Sequence, residues 1–307
     1  MCRALLYLGQ PVLLDNLLFQ PDSALVRQSF MPKMLHMLNL AGFGMRAWDP
    51  QSTSPEQAYS YYSQSLPVFD RNLQNLAQKV RPTCVLAHVR GVAYSTRVEI
   101  SLQNVHPFHF KDVPVVMAHN GDLANFAAMK SLLAPHIRPE YLRQIHGTTD
   151  SEWIYALVMS QLTPPLDNLD AERTFNAIQR AFHLIREVRS TLGIAVSSSV
   201  NLFVANGRQL AAVRYCFDFG CYRTEGPDKV HEANLAFLSL WYTLGRDYNL
   251  HEGEWKMVGG AENADSIIVS SEPLTSDTSA WVELPEYSAL FAEVRSGRPR
   301  LAVRLLD

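Results

Sequence analysis

The chain has 307 residues, 47% of them apolar and 19% charged, which rules out disorder and supplies one large core or two modest ones. Its 27 Lys+Arg against 30 Asp+Glu give a net charge of −3 with no basic run, so nothing supports a nucleic-acid partner. No uncharged apolar stretch approaches the roughly 20 residues that span a bilayer, and the Leu-rich start is broken by Gln10, Pro11, Asp15 and Asn16, so no membrane anchor is expected.

Cys2, Cys84, Cys216 and Cys221 are too few and too scattered for a disulfide framework, and no signal peptide precedes them. The expectation is a cytoplasmic protein.

In chain order, Phe69, Leu73, Leu76 and Val80 recur at helical spacing until Pro82 and predict a helix laying one apolar stripe on a sheet. Thr83–His88 and Pro114–His119 predict buried strands, as does Ser266–Ser270 later on. Thr149-Asp150-Ser151-Glu152 has the form of a capping box and predicts a helix from about Ser151 through Ile154, Leu157 and Val158. Phe175, Ile178, Phe182 and Ile185 predict another. Asn201–Ala205 and Gln209–Tyr215, joined through Asn206-Gly207, read as a hairpin turning on Asn-Gly in type I′. Cys216 and Cys221 suit neither a zinc ribbon nor a redox pair and are expected to be buried thiols. His251-Glu252, beside a glycine, reads as loop, and no metal site is expected. Strands and helices interspersed in this way describe one continuous layered domain, α+β or α/β.

Cys2 follows directly on a removable Met1. Once N-terminal, it would carry a thiol and a free α-amine on one residue, and an amine titrating near 7.7 to 8.0 can take the proton of a thiol near 8.5 without a histidine. Further chemistry gathers in Leu86-Ala87-His88-Val89-Arg90, Asn104-Val105-His106-Pro107-Phe108, Met117-Ala118-His119-Asn120-Gly121-Asp122-Leu123 and Gly147-Thr148-Thr149-Asp150-Ser151-Glu152. Gly42-Phe43-Gly44-Met45 and Ser271-Glu272-Pro273-Leu274 flank them.

In this order and spacing, from residue 2 to about residue 274, the chain resembles the class II glutamine amidotransferase family of N-terminal nucleophile hydrolases. Leu25-Val26-Arg27-Gln28-Ser29-Phe30 and the Gly42-Phe43-Gly44 stretch make it most similar to the stand-alone branch, which includes the γ-glutamyl hydrolases of ergothioneine biosynthesis and glutathione breakdown. The resemblance implies an α+β fold, a four-layer αββα sandwich of two antiparallel sheets. Residues 2–275 would form the amidotransferase domain, and 276–307 would complete it.

The resemblance also implies the parts of a site. Cys2 would be the nucleophile that forms a thioester, and Asn120 and Gly121 would be the oxyanion donors. Arg90 would take the substrate α-carboxylate through a planar fork of donors, Asp150 would take the α-ammonium, and His106 would shape the pocket. His88 and His119 read as satisfied structural histidines. No cofactor is implied. The expected substrate is glutamine or a γ-glutamyl compound. The alternatives are an ammonia-donating subunit of a separate synthetase and a catalytically silent binding or regulatory protein. Gly91, where synthase members of the family often carry a bulky aromatic, and Ala41, where relatives commonly place an acid, depart from the pattern and point to a different closure over the substrate. Trp48–Ser65 and Tyr222–Glu254 are the segments expected to read the leaving group. With about thirty residues after Leu274, any acceptor chemistry is expected in another chain.

Overall fold

The computed structural model describes residues 2–34, 38–92, 100–221, 239–295 and 298–307. Its first strand, Arg3–Leu8 (β1), is apolar apart from Arg3 and buried along its whole length. A strand with apolar side chains on both faces must be covered on both, and β1 is the middle strand of seven. The order is Val282–Glu283 (β13), Trp241–Gly245 (β9), Ser266–Ser270 (β12), β1, Cys84–Val89 (β4), Phe43–Trp48 (β2) and Tyr59–Ser63 (β3). The second sheet runs Arg298–Leu305 (β15), Ser288–Arg295 (β14), Gln209–Arg214 (β7), Ser198–Ala205 (β6) and Val116–Gly121 (β5), with Cys216–Phe217 (β8) also paired to β6. Every pairing in both sheets is antiparallel. A separate hairpin joins Asp247–His251 (β10) to Glu254–Val258 (β11).

Side-chain alternation along the strands divides the apolar residues into three layers. Leu6, Leu8 and Leu86 of the first sheet meet Ala118, Phe203 and Leu290 of the second in one cluster between the sheets. On the outer side of the first sheet, Leu5, Tyr7, Met45 and Val85 pack against Leu14–Leu18 (α1) and Arg71–Ala77 (α2). The outer face of the second sheet packs Met117, Leu202 and Val213 against Phe126–Leu133 (α3), Pro139–Leu142 (α4), Asp150–Gln161 (α5) and Ala171–Thr191 (α6). This is the αββα sandwich that the resemblance implies. No helix among the described residues is long and apolar enough to cross a membrane.

Local chemistry corrects several sequence expectations. The helix expected from Phe69 is shorter. Asp70 caps it by accepting from the Asn72 and Leu73 N–H groups, so α2 starts at Arg71 and Phe69 stays 77% exposed in the preceding turn. Helix α5 has only half of the predicted capping box. Thr149 accepts from Glu152 N, but the Glu152 carboxylate turns to His146 N at 3.1 Å and Gly147 N at 2.7 Å instead of back to Thr149. The β6–β7 hairpin has its loop one residue later than expected. Gly207 and Arg208 form it, with a positive φ of 90° at Gly207 alone, which is the pattern of a II′ turn. Asn206 instead accepts from Arg208 N and Gln209 N through its side chain. Cys216 is buried, but the Asp218–Gly220 turn carries Cys221 out to solvent. His251 ends β10, and only Glu252-Gly253 forms the turn there.

Candidate active site

Antiparallel pairing gathers the chemical residues at one end of the sandwich. Val89 is the partner of both Arg3 in β1 and Phe43 in β2, so the residue before β1 and the residue after β4 emerge side by side. These are Cys2 and Arg90. The facing sheet contributes the end of β5, Asn120 and Gly121, and α5 begins there with Asp150. A cleft of about 570 Å³ opens between them, its wall including Cys2, Arg90, Gly91, His106, Gly121 and Asp150.

Cys2 is half-buried, and its Sγ lies 3.4 Å from the donating Gly91 N and 3.6 Å from Gly91 O. Arg90 is held as an extension of β4, its N–H on Gly42 O at 2.8 Å and its carbonyl taking Ala41 N at 2.8 Å. Arg90 is 4% exposed, and burial pulls its guanidinium below its ordinary value against the opposing pull of Cys2 and Asp150. An arginine so placed remains a cation at neutral pH. Asp150 accepts Leu123 N on Oδ2 at 2.6 Å, and as the first residue of a 12-residue helix it stands where the macrodipole favours an anion. At the rim, Asp122 reaches solvent, yet enclosure by the cleft walls and then Asp150 push its carboxyl up to about 6.

Gly121 can only be glycine. Its φ is +147°, and a Cβ would stand 1.8 Å from Ser199 O. Asn120, 6% exposed, lies behind it. Its Nδ2 donates to Ser271 Oγ, which also accepts Ala4 N at 3.0 Å, so the amide is anchored to the Ser271-Glu272 segment and to β1.

Three histidines are buried beneath the cleft. His88 and His106 bring their Nδ1 atoms to 3.3 Å, and His119 lies on β5. Burial, reinforced by Arg90 and His119, pushes His88 down to about 3. Burial likewise drives His106 well below its ordinary value and lowers His119. All three are neutral at neutral pH. The loop bearing His106 passes so close to β2 that a Cβ on Gly44 would stand 2.0 Å from His106 O. Asn104 secures the same loop to the next segment, accepting Thr148 N at 2.8 Å and donating to Thr148 Oγ1 at 3.0 Å.

Five of the six predicted site residues, Cys2, Arg90, His106, Gly121 and Asp150, line the cleft, whereas Asn120 lies behind its wall with its amide donating to Ser271. Residues 48 and 56–58, expected to read the leaving group, instead line a separate cavity of about 380 Å³ at the other end of β2. Within the other such segment, residues 222–238 lie outside the described residues. Sequence reasoning missed the pairing of Arg3 with Glu272 and the His88–His106 contact. A single charge opening the apolar run of β1 was the available signal for the first.

A profile of the class II glutamine amidotransferases matches residues 40–231. Probable glutamine amidotransferase DUG3 of Saccharomyces cerevisiae is 30% identical over 308 positions, covering 94% of this chain and 81% of its own. The γ-glutamyl-hercynylcysteine sulfoxide hydrolase of Mycolicibacterium smegmatis is 27% identical over 124 positions, 39% of this chain and 51% of its own. Among solved structures, the glutamine aminotransferase class-II domain protein of Silicibacter pomeroyi superposes with a TM-score of 0.60 at 20% identity, covering 99% of both chains. The phosphoribosylpyrophosphate amidotransferase of B. subtilis does so with 0.54 at 15% identity, covering 98% of this chain and 49% of the enzyme. These two likenesses share the sandwich fold of the N-terminal nucleophile hydrolases. By its profile match and its similarity along most of its length, this chain belongs to the class II glutamine amidotransferase family of enzymes.

Proposed function

We propose that this protein hydrolyses the γ-glutamyl amide bond of a γ-glutamyl compound, with Cys2, exposed as the N-terminal residue by removal of Met1, as its nucleophile. The observation that carries the reading is the convergence of Cys2, Arg90, Gly121 and Asp150 on one cleft from four separate elements. A γ-glutamyl group presents an α-carboxylate, an α-ammonium and a side-chain carbonyl. Arg90 answers the first, Asp150 the second, and the thiol of Cys2 the third.

The free α-amine takes the thiol proton, and the thiolate adds to the γ-carbonyl. The resulting oxyanion accepts from the Gly121 N–H and from the second Nδ2–H of Asn120, the one not committed to Ser271. Such a donor contributes about 2.7 to 4 kcal/mol elsewhere. Collapse breaks the C–N bond, the α-ammonium gives its proton to the departing amine, and a thioester remains. Water, deprotonated by the same amine, then releases glutamate and restores the thiol. His106, neutral and buried, walls the pocket beside the nucleophile without taking its proton.

The size of the cleft bears on the leaving group. About 570 Å³ lies in the usual range for small-molecule sites and leaves room beyond a glutamyl group. That room accommodates a γ-glutamyl peptide or conjugate, and similarity to a γ-glutamyl-hercynylcysteine sulfoxide hydrolase favours such a substrate over glutamine.

Glutamate release measured across glutamine, γ-glutamyl peptides and γ-glutamyl thiol conjugates tests the proposal. Conjugates should turn over faster than glutamine, and Cys2→Ala or a form retaining Met1 should release none. A Cys2→Ala protein with parental release would overturn the mechanism. Binding without turnover or adduct formation on Cys2 would indicate a silent binding protein.

A further inference from the structure

Asp150 is not the only acceptor at the front of α5. Ser151, 4% exposed, places its Oγ 3.2 Å from Asp150 Oδ1 and 2.9 Å from His119 Nδ1. The other ring nitrogen, His119 Nε2, lies 3.4 Å from the carbonyl oxygen of Ser199, which can only accept. Nε2 therefore carries the ring proton. Burial keeps the imidazole neutral, so Nδ1 is a bare acceptor. Ser151 has one hydroxyl proton, and Nδ1 is its nearer acceptor. With that proton turned to the imidazole, the lone pairs of Ser151 Oγ are left beside Asp150 Oδ1.

The reverse arrangement, with Ser151 donating to Asp150, needs Nδ1 to donate to Ser151. A neutral ring would then turn the bare Nε2 toward the Ser199 carbonyl, and a charged ring is opposed by burial. Asp150 Oδ2 is already occupied by Leu123 N. What remains at the cleft wall is a pair of acceptors 3.2 Å apart. Such a pair repels a carboxylate and suits an ammonium, which brings positive charge and three donors.

We propose that Ser151 Oγ and Asp150 Oδ1 together form the seat of the substrate α-ammonium, with His119 as the positioning residue that turns the Ser151 hydroxyl into an acceptor. The proposal rests on the γ-glutamyl reading and adds the atoms that distinguish an α-amino acid group from its des-amino counterpart.

The p-nitroanilides of γ-glutamate and of glutarate differ only in that ammonium and serve as probes, each as substrate or as competitive inhibitor. Ser151→Ala should raise KM for the γ-glutamyl anilide about tenfold, as expected for one lost hydrogen bond to a charged group. Its kcat should stay within about threefold of the parent, with the glutaryl constants unmoved. Ser151→Thr, which keeps the hydroxyl, should retain the parental KM. His119→Asn should raise the same KM, and added to Ser151→Ala it should raise it no further, because the two residues act through one contact. Parental KM in Ser151→Ala, or an equal rise on both anilides, would overturn the proposal while leaving the γ-glutamyl reading intact. A parent enzyme that neither hydrolyses nor binds the γ-glutamyl anilide would remove that reading, and the seat with it.

Discussion

Arg3 and Glu272 form an ion pair inside the protein, Nε to Oε2 at 3.6 Å, with 4% and 1% of their side chains exposed. Glu272 also accepts Lys33 N at 3.1 Å and Met34 N at 3.0 Å, and Arg3 Nη1 donates to Cys2 O at 3.1 Å. The pair thus fastens the backbone of the proposed nucleophile to two distant segments. Removing one partner leaves a buried charge uncompensated, which typically costs about 3 to 5 kcal/mol. Glu272→Ala should lose stability of that order in urea unfolding. A loss under about 1 kcal/mol would show that the pair is relaxed by water.

Arg90→Lys separates charge from geometry. A lysine keeps the cation but cannot offer two parallel donors to a carboxylate. The expected outcome is a KM for γ-glutamyl substrates raised about tenfold with kcat little changed. Steady-state kinetics decide, and a fall in kcat at constant KM would place Arg90 in the transition state instead.

Gly121→Ala sets a Cβ against the Ser199 carbonyl at 1.8 Å in a backbone conformation that L residues seldom adopt. Overpacking and φ strain together predict a loss of about 3 kcal/mol or more. A urea midpoint within experimental error of the parent would contradict this.

The buried imidazoles predict acid sensitivity. His88 is held near 3 when folded, whereas an unfolded histidine titrates near 6.5. Between those values the unfolded chain binds a proton that the folded chain does not, so unfolding stability rises with pH. The stability is intact above about 6.5 and falls as pH drops toward 3, by about 1.4 kcal/mol per pH unit for one such group. His106, also lowered, adds in the same direction. Urea midpoints at pH 7, 6, 5 and 4 should decline steadily. A flat series would mean that the histidines are hydrated.

Two residues of one predicted stripe should behave oppositely. Leu73 is fully buried under the first sheet, and Leu73→Ala should cost about 2 to 5 kcal/mol. Phe69 projects into solvent, so Phe69→Ser should stay within about 0.5 kcal/mol of the parent. Thermal or urea unfolding of both variants tests the position of the helix start.

Much of the protein was legible in one dimension because local chemistry reports local structure. The apolar runs of β4 and β12, the 3.6-residue stripe of α6 and the order of the glycine- and histidine-bearing motifs could each be read directly. The resemblance singled out Cys2, Arg90, Gly121 and Asp150, which the fold brings to one cleft. Errors arose where two local signals competed. Asp70 as a helix cap outweighed the apolar period through Phe69, and the Asn206 side chain took a turn position that the Asn-Gly pair alone would have put inside the loop.

Long-range packing decided the rest. Nothing near residue 3 announces residue 272, and nothing near His88 announces His106; the first pair exists because β1 runs antiparallel to β12, and the second because the loop bearing His106 crosses Gly44, the strand partner of His88. One Nδ2–H of Asn120 is committed to Ser271 because β1 and the segment after β12 lie directly behind it. The sequence by itself determined the family to which the chain belongs and the period of most elements. Only the tertiary structure decided which charges are buried together and which way each polar side chain turns, because those are set by contacts between residues far apart in the chain and by the removal of water from around them.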